Sequence, residues 1–240
     1  NIKIGDSEGV PLAELDMSGP APTELVLAGP DRVVVTEGDD LDIEVSGDAN
    51  AVAALRFSLS DETLAISRES DWKGSGIATV RVTTPSLTTL VLAGSGDIDA
   101  ERMSGAANVT VAGSGTVKIA RLEAESLDLT IAGSGDITAS GSAGSLDLTV
   151  AGSGKAAMAN LEVDRAEVSI AGSGDAEFAS DGPVEASIMG SGTVTVNGNA
   201  DCTVSSMGSG KLRCRPAATK TSEASDESEA ASATTVEETD

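Results

Sequence analysis

Between residues 85 and 215 apolar and polar positions alternate in short runs, and each run breaks at the same triplet. Gly-Ser-Gly begins at Gly94, Gly113, Gly133, Gly152, Gly172, Gly190 and Gly208. The near-constant spacing of about 18–20 residues is that of a stacked repeat. Two residues before the triplets stand Leu92, Val111, Ile131, Val150, Ile170, Ile188 and Ser206; four before stand Leu90, Val109, Leu129, Leu148, Val168, Ala186 and Val204. Polar residues separate them, which is the period of two of a strand with one buried face. The alternation resumes four and six residues after each triplet's first glycine, with Ile98, Val117, Ile137, Ala156, Ala176, Val194 and Leu212, then Ala100, Ile119, Ala139, Met158, Phe178, Val196 and Cys214. Each unit therefore predicts strand, Gly-Ser-Gly turn, strand. A second, looser turn closes it, as in SGSAGS at 140–145, SDGPV at 180–184 and NGNAD at 197–201.

Two strands and two turns make one coil of a flattened β-helix. A single coil cannot bury its own apolar face, but coils stacked at about 4.8 Å pair every strand with its equivalents above and below and share one core. Antiparallel hairpins would also use the alternation. They would not require the same residue type at the same offset in every unit, which parallel stacking does. The expectation is an all-β parallel β-helix, a solenoid with coils of about 18–20 residues.

Outside 85–215 the pattern loosens. In residues 24–84 the alternating runs (LVLAGP, RVVVTEGDDLDIEVSG, LRFSLSDETLAIS, IATVRVTTP) do not break at the triplet and are expected to form irregular first coils of one domain spanning 24–215, with ESDWKGSG, which holds a Gly-Ser-Gly outside the period, as a loop. Residues 1–23, with Pro11, Pro20 and Pro22, suggest an irregular leader. Residues 216–240 hold seven acids, one lysine and almost no large apolar side chain, so they are expected to be disordered.

Composition narrows the chemistry. With 2 Phe, 1 Trp and no Tyr among 240 residues, the core must be built from Val, Ile, Leu and Ala. A balance of 39 acids against 15 bases gives −24, which repels nucleic acid and argues against it as a partner. There is no histidine, which excludes Ser-His and Cys-His catalysis and the commonest neutral metal ligand. No apolar run reaches the roughly 18–20 residues of a membrane span, and no basic-then-apolar leader opens the chain. Because the sequence starts at Asn1, a signal sequence is expected upstream of it.

The glycine turns invite two functional readings. Glycine-aspartate turns hold calcium when Asp recurs at one offset about every nine residues. Here the position after the triplet reads Asp97, Thr116, Asp136, Lys155, Asp175, Thr193 and Lys211, at twice that period, which argues for tight turns instead. A phosphate loop lacks its GxGxxG or Walker pattern and the helix that should follow. No cofactor, metal ligand or catalytic residue is assigned.

The outward positions are more informative. Five residues before the triplets stand Thr89, Asn108, Asp128, Asp147, Glu167, Glu185 and Thr203, and three before stand Val91, Thr110, Thr130, Thr149, Ser169, Ser187 and Ser205. Stacking would align four carboxylates, Asp128, Asp147, Glu167 and Glu185, beside the hydroxyls Thr130, Thr149, Ser169 and Ser187. This is either a solvated face or an interaction face for cations, an envelope glycan or a protein, with weak divalent bridging as one mechanism. Cys202 and Cys214 lie six residues either side of the last triplet's first glycine, in phase with the core. They are expected to form a disulfide closing the last coil, which implies an oxidising, extracytoplasmic compartment; two buried free thiols is the alternative.

The strings LTTLVLAGSGDIDA, LDLTIAGSGDITAS and LDLTVAGSGKAAM, with VVVTEGDDLDIEVSGD and TVRVTTPSLTTLVLAGSG before them, resemble the bacterial head GIN domain of putative auto-transporter adhesins over roughly residues 24–215. The resemblance implies a single-stranded, right-handed parallel β-helix exported from a bacterium to the periplasm or cell surface, behind a signal peptide or lipid anchor. It supplies no catalytic residue. The chain shows no membrane-barrel segment of its own. The expected function is a non-enzymatic, adhesin-like binding or structural module of the cell envelope. The alternative is a calcium-assisted, polysaccharide-active β-helix enzyme, against which stand the missing His and Tyr and the single Trp72. End-to-end self-association through the end strands is a further expectation.

Overall fold

The computed structural model describes residues 9–70 and 72–215. The expected disorder of 216–240 lies outside the described residues. The chain is a β-solenoid built mainly from parallel pairings. Its strands are β1 (Glu24–Gly29), β2 (Arg32–Glu37), β3 (Asp42–Gly47), β4 (Leu55–Ser60), β5 (Thr63–Arg68), β6 (Ala78–Thr84), β7 (Thr89–Gly94), β8 (Asp97–Gly113) and β9 (Thr116–Gly133). They continue as β10 (Asp136–Ala143), β11 (Leu146–Gly152), β12 (Lys155–Val163), β13 (Ala166–Gly172), β14 (Asp175–Ser180), β15 (Pro183–Gly190), β16 (Thr193–Asn197), β17 (Asp201–Gly208) and β18 (Lys211–Arg215). A short helix, α1 (Ala49–Ala53), joins β3 to β4, with the Asp48 side chain accepting from the N–H groups of Asn50 and Ala51 at its N-terminus.

The register follows the sequence offsets. On the first facet, the strands leading into each corner, Leu90, Val109, Leu129, Leu148, Val168, Ala186 and Val204 are in one vertical file. All but the last are at most 4% exposed. On the second facet Ile98, Val117, Ile137, Ala156, Ala176, Val194 and Leu212 are aligned in the same way. Where this file narrows to Ala156 and Ala176, the residues two further along are Met158 and Phe178, both fully buried. Large and small side chains thus trade off within a coil to keep one packed core.

The corners explain the triplet. The first glycine of each of the seven periodic triplets has φ between 126° and 135°, a region that side chains rarely adopt. A Cβ there, or on the third glycine of a triplet, would run into backbone or a core side chain of the coil below. The central serine is exposed, but its N–H donates to the first glycine's carbonyl of the preceding coil, as in Ser134 to Gly113 at 2.9 Å and Ser153 to Gly133 at 2.9 Å. The bare N–H groups that would form an anion cradle are engaged in stacking.

One expectation is corrected. The middle coils are not two strands and two turns, because β8 and β9 each run through the second bend and add a short third facet. Met103 pairs with Leu122 there, and Leu122 with Gly141. The register shifts at Gly105/Ala106 and Ala139/Gly141 mark these extra bends, and most of SGSAGS is strand. The longer coils, between the corners at Gly94 and Gly172, have chain enough for this facet; the shorter ones beyond Gly172 close with a plain turn. The first coils, expected to be irregular, do not stack in sequence order. β1 lies between β5 and β7, and β2 between β6 and β8, so the coil 63–84 sits outside the coil 24–37 that precedes it in the chain. Beyond it β3 and β4 run antiparallel to β6 and β5, and Val10 bridges Phe57 on β4. The far end of the solenoid is thereby closed by reversed strands, α1 and part of the expected leader.

Candidate binding face

The outward positions of the first facet form the face singled out by the sequence. The pairing carries Thr89, Asn108, Asp128, Asp147, Glu167, Glu185 and Thr203 in one file, and Thr110, Thr130, Thr149, Ser169, Ser187 and Ser205 in the next. Asp128, Thr130, Asp147, Thr149, Glu167, Glu185 and Ser187 are exposed, and Ser169 is half-buried. At the capped end the hydroxyl file gives way to Val91 and Val26, which are buried at 6% and 3%. The polar surface therefore starts only at the coil carrying Thr110.

A groove of about 450 Å3 opens beside the acid file, lined by Asp128, Asp147, Glu167, Glu185, Arg165 and Pro183 among others. A second hollow of about 140 Å3 lies over Glu167, Ser169, Glu185, Ser187, Thr203 and Ser205. Among the described residues none of the four carboxylates makes a hydrogen bond or an ion pair within the chain. Arg165, one coil edge away, is the basic group on the rim of the larger groove. Strands at about 4.8 Å hold these carboxylates closer than a Debye length, so each adds to the negative potential of the others. No group of three or more His, Cys, Asp or Glu side chains that could hold a metal ion occurs among the described residues.

Two polar clusters lie elsewhere. Asp31 is buried beneath the corner column, where its carboxylate accepts from Arg68 Nε at 2.6 Å, Arg68 Nη2 at 2.5 Å and the Ala78 N–H at 2.8 Å. The Trp72 ring lies 3.7 Å over the Arg68 guanidinium. Sequence reading missed this pair, because Asp31 and Arg68 are brought together only by the out-of-order stacking of β1 and β5. Arg102 donates to Glu123 at 2.7 Å and Glu37 at 3.4 Å, and the charges of Glu123 and then Glu37 hold its guanidinium above the usual arginine range.

Cys202 and Cys214 form a disulfide, with Cα atoms 6.8 Å apart. The two facets of the last coil therefore face each other directly. Cys202 is half-buried and packs against the core, whereas Cys214 is exposed, with no further coil over it among the described residues.

A family model described as "Putative auto-transporter adhesin, head GIN domain" matches residues 21–200. Among solved structures the chain is similar to a putative adhesin from Bacteroides fragilis, with TM-score 0.72 and 22% identity over 81% of this chain and 93% of that one. It is also similar to a putative lipid binding protein from Parabacteroides distasonis, with TM-score 0.63 and 23% identity over 82% of this chain and 93% of that one. At these identities the likeness concerns the fold. No curated protein matches the chain.

Proposed function

The chain belongs to the putative auto-transporter adhesin, head GIN domain family, and on that premise we propose that it is a non-enzymatic, exported binding module of the bacterial cell envelope. Its partner is an envelope glycan or protein that docks along the first facet. The observation that carries this reading is the in-register file of unpaired carboxylates, Asp128, Asp147, Glu167 and Glu185, with hydroxyls beside it and a groove along it. Carboxylates without intramolecular partners break no contact within the chain on meeting amines, or sugar hydroxyls bridged by a divalent ion, and the charge-assisted bonds they gain offset the hydration they give up. A flat β-surface built on stacked coils holds such groups at fixed spacing without reorganisation, which lowers the entropic cost of binding. The Cys202–Cys214 disulfide supports an oxidising, extracytoplasmic location. Among the described residues no helix is long and apolar enough to cross a membrane.

The test is binding of the full chain to arrayed envelope glycans and to envelope protein extracts, with and without calcium. The variant Asp128→Asn/Asp147→Asn/Glu167→Gln/Glu185→Gln is compared with the parent. Loss of retained partners in the variant supports the face; equal retention overturns it. Uronate release from acidic polysaccharides, with and without calcium, addresses the enzymatic alternative, and clear turnover would replace the proposal.

A further inference from the structure

The two ends of the solenoid differ. One is closed by the reversed strands β3 and β4, so no parallel coil can be added there. At the other, among the described residues, β17 and β18 pair on one side only, with β15 and β16. Their free N–H and C=O groups form an open edge on each facet, the arrangement that invites pairing with another chain. Exposed apolar side chains collect at this end. The outward file that reads Ala93, Ala112, Ala132, Ala151 and Ala171 changes to Met189 and Met207 in the last two coils, 57% and 75% exposed. Val204, in phase with the core, is 49% exposed.

We propose that this open coil pairs with the same coil of a second copy, about a two-fold axis parallel to the strands, so that β17 lies antiparallel to β18 of the partner. The disulfide sets the register. Cys202 and Cys214 face each other across one coil, and rotation about an axis along the strands brings Cys202 beside Cys214 of the partner. Val204 then meets the partner's Leu212, Asp201 meets the partner's Arg215, and Thr203 meets the partner's Arg213. Inward residues neighbour inward residues and outward neighbour outward, as a continuous sheet requires. The other two-fold, with β18 against β18, sets Lys211, Arg213 and Arg215 against themselves and is opposed by like charges. The chosen pairing places these three cations against Asp201, Thr203 and Ser205, above the acid file ending at Glu185. An eight-residue strand spans about 27 Å, so the end face offers roughly 500 Å2 per copy and about 1,000 Å2 in all, the low end of specific interfaces. A two-fold contact uses the same open coil on both copies, so it is satisfied at two copies and does not propagate.

The test is sedimentation of the full chain over a range of concentrations, together with directed crosslinking. The expected mass is twice the 23.8 kDa of the chain; a monomer at every concentration, or open-ended polymers, overturns the proposal. Thr203 and Arg213 lie on opposite outer faces of one coil, so Thr203→Cys/Arg213→Cys can join only across copies. Covalent dimer is expected from the double variant and not from either single variant. Crosslinking by Arg213→Cys alone would mean the other two-fold and overturns the pairing. Asp201→Arg is expected to weaken dimerisation at least tenfold and Asp201→Arg/Arg215→Asp to restore it; failure of the restoration counts against the register.

Discussion

Replacing Gly152 by alanine tests whether the triplet is a structural corner. The residue has φ 130°, and its added Cβ would lie well under 3.0 Å from the Gly133 carbonyl oxygen, which accepts the Ser153 N–H at 2.9 Å. Backbone strain in this region costs about 1–3 kcal/mol. Relieving the collision displaces the coil, at a further ~1–3 kcal/mol for overpacking, and weakens a hydrogen bond worth about 1 kcal/mol. The lower entropy of the unfolded alanine chain offsets roughly 0.5 kcal/mol. The net expectation is a loss of about 4 kcal/mol. Gly105 provides the internal comparison, since it has φ 77° and nothing within 4 Å of an added Cβ. Gly105→Ala meets only the left-handed backbone cost, about 1 kcal/mol after the same offset. Ser153→Ala keeps its N–H and loses only an exposed hydroxyl, so it should stay within about 0.5 kcal/mol of the parent. Urea unfolding followed by far-UV circular dichroism reads all three. With a slope of about 2 kcal/mol per molar, the midpoint falls by about 2 M for Gly152→Ala and about 0.5 M for Gly105→Ala. If the two glycine variants unfold at the same urea concentration, the stacking explanation of the triplet is wrong.

Three further outcomes follow from the same structure. Cys202→Ser/Cys214→Ser removes a crosslink of sequence separation 12, and loss of about 3 kcal/mol is expected, with amide exchange rising in β17 and β18 first; uniform exchange along the solenoid would contradict the capping role. Asp31→Asn leaves the Arg68 guanidinium buried without its counter-charge, so about 3–5 kcal/mol should be lost, and the emission of Trp72, the sole tryptophan, should shift in the folded state; an unchanged melting temperature would refute it. Asp128→Asn/Asp147→Asn relieves repulsion between adjacent rungs, so the variant should be more stable by about 0.2–1 kcal/mol at low salt, and the gain should shrink severalfold near 1 M salt, where the Debye length is about 3 Å. A gain independent of salt would rule out repulsion as its cause.

The regular coils were legible because each structural requirement repeats. A residue at offset −4 or −2 is buried in the core in every regular coil but the last, so Leu129 and Ile131 carry the same instruction as Leu148 and Val150. The triplet states the corner seven times. The acid file was legible for the same reason, since parallel stacking turns equal offsets into vertical neighbours: Asp128 beside Asp147, Glu167 beside Glu185. Even the disulfide follows from phase, because Cys202 and Cys214 sit at equal distance from one corner.

Tertiary structure alone decided what does not repeat. Nothing local in LVLAGP or LAISR tells that β5 inserts outside β1. That order depends on which free edge each strand finds when the chain doubles back through β3, α1 and β4. The buried Asp31–Arg68 pair is a product of that order and has no signature in either segment. The third facet likewise reflects how the longer units fill a coil whose corners are already fixed, a matter of chain length and packing that alternation does not encode. The difference between the two ends is settled by pairing as well: β3 and β4 reverse to cover one edge, while β17 and β18 have no partner beyond them in the described chain. Sequence periodicity sets the coil because its information is local and redundant. Stacking order and end closure depend on contacts distant in the chain and made once.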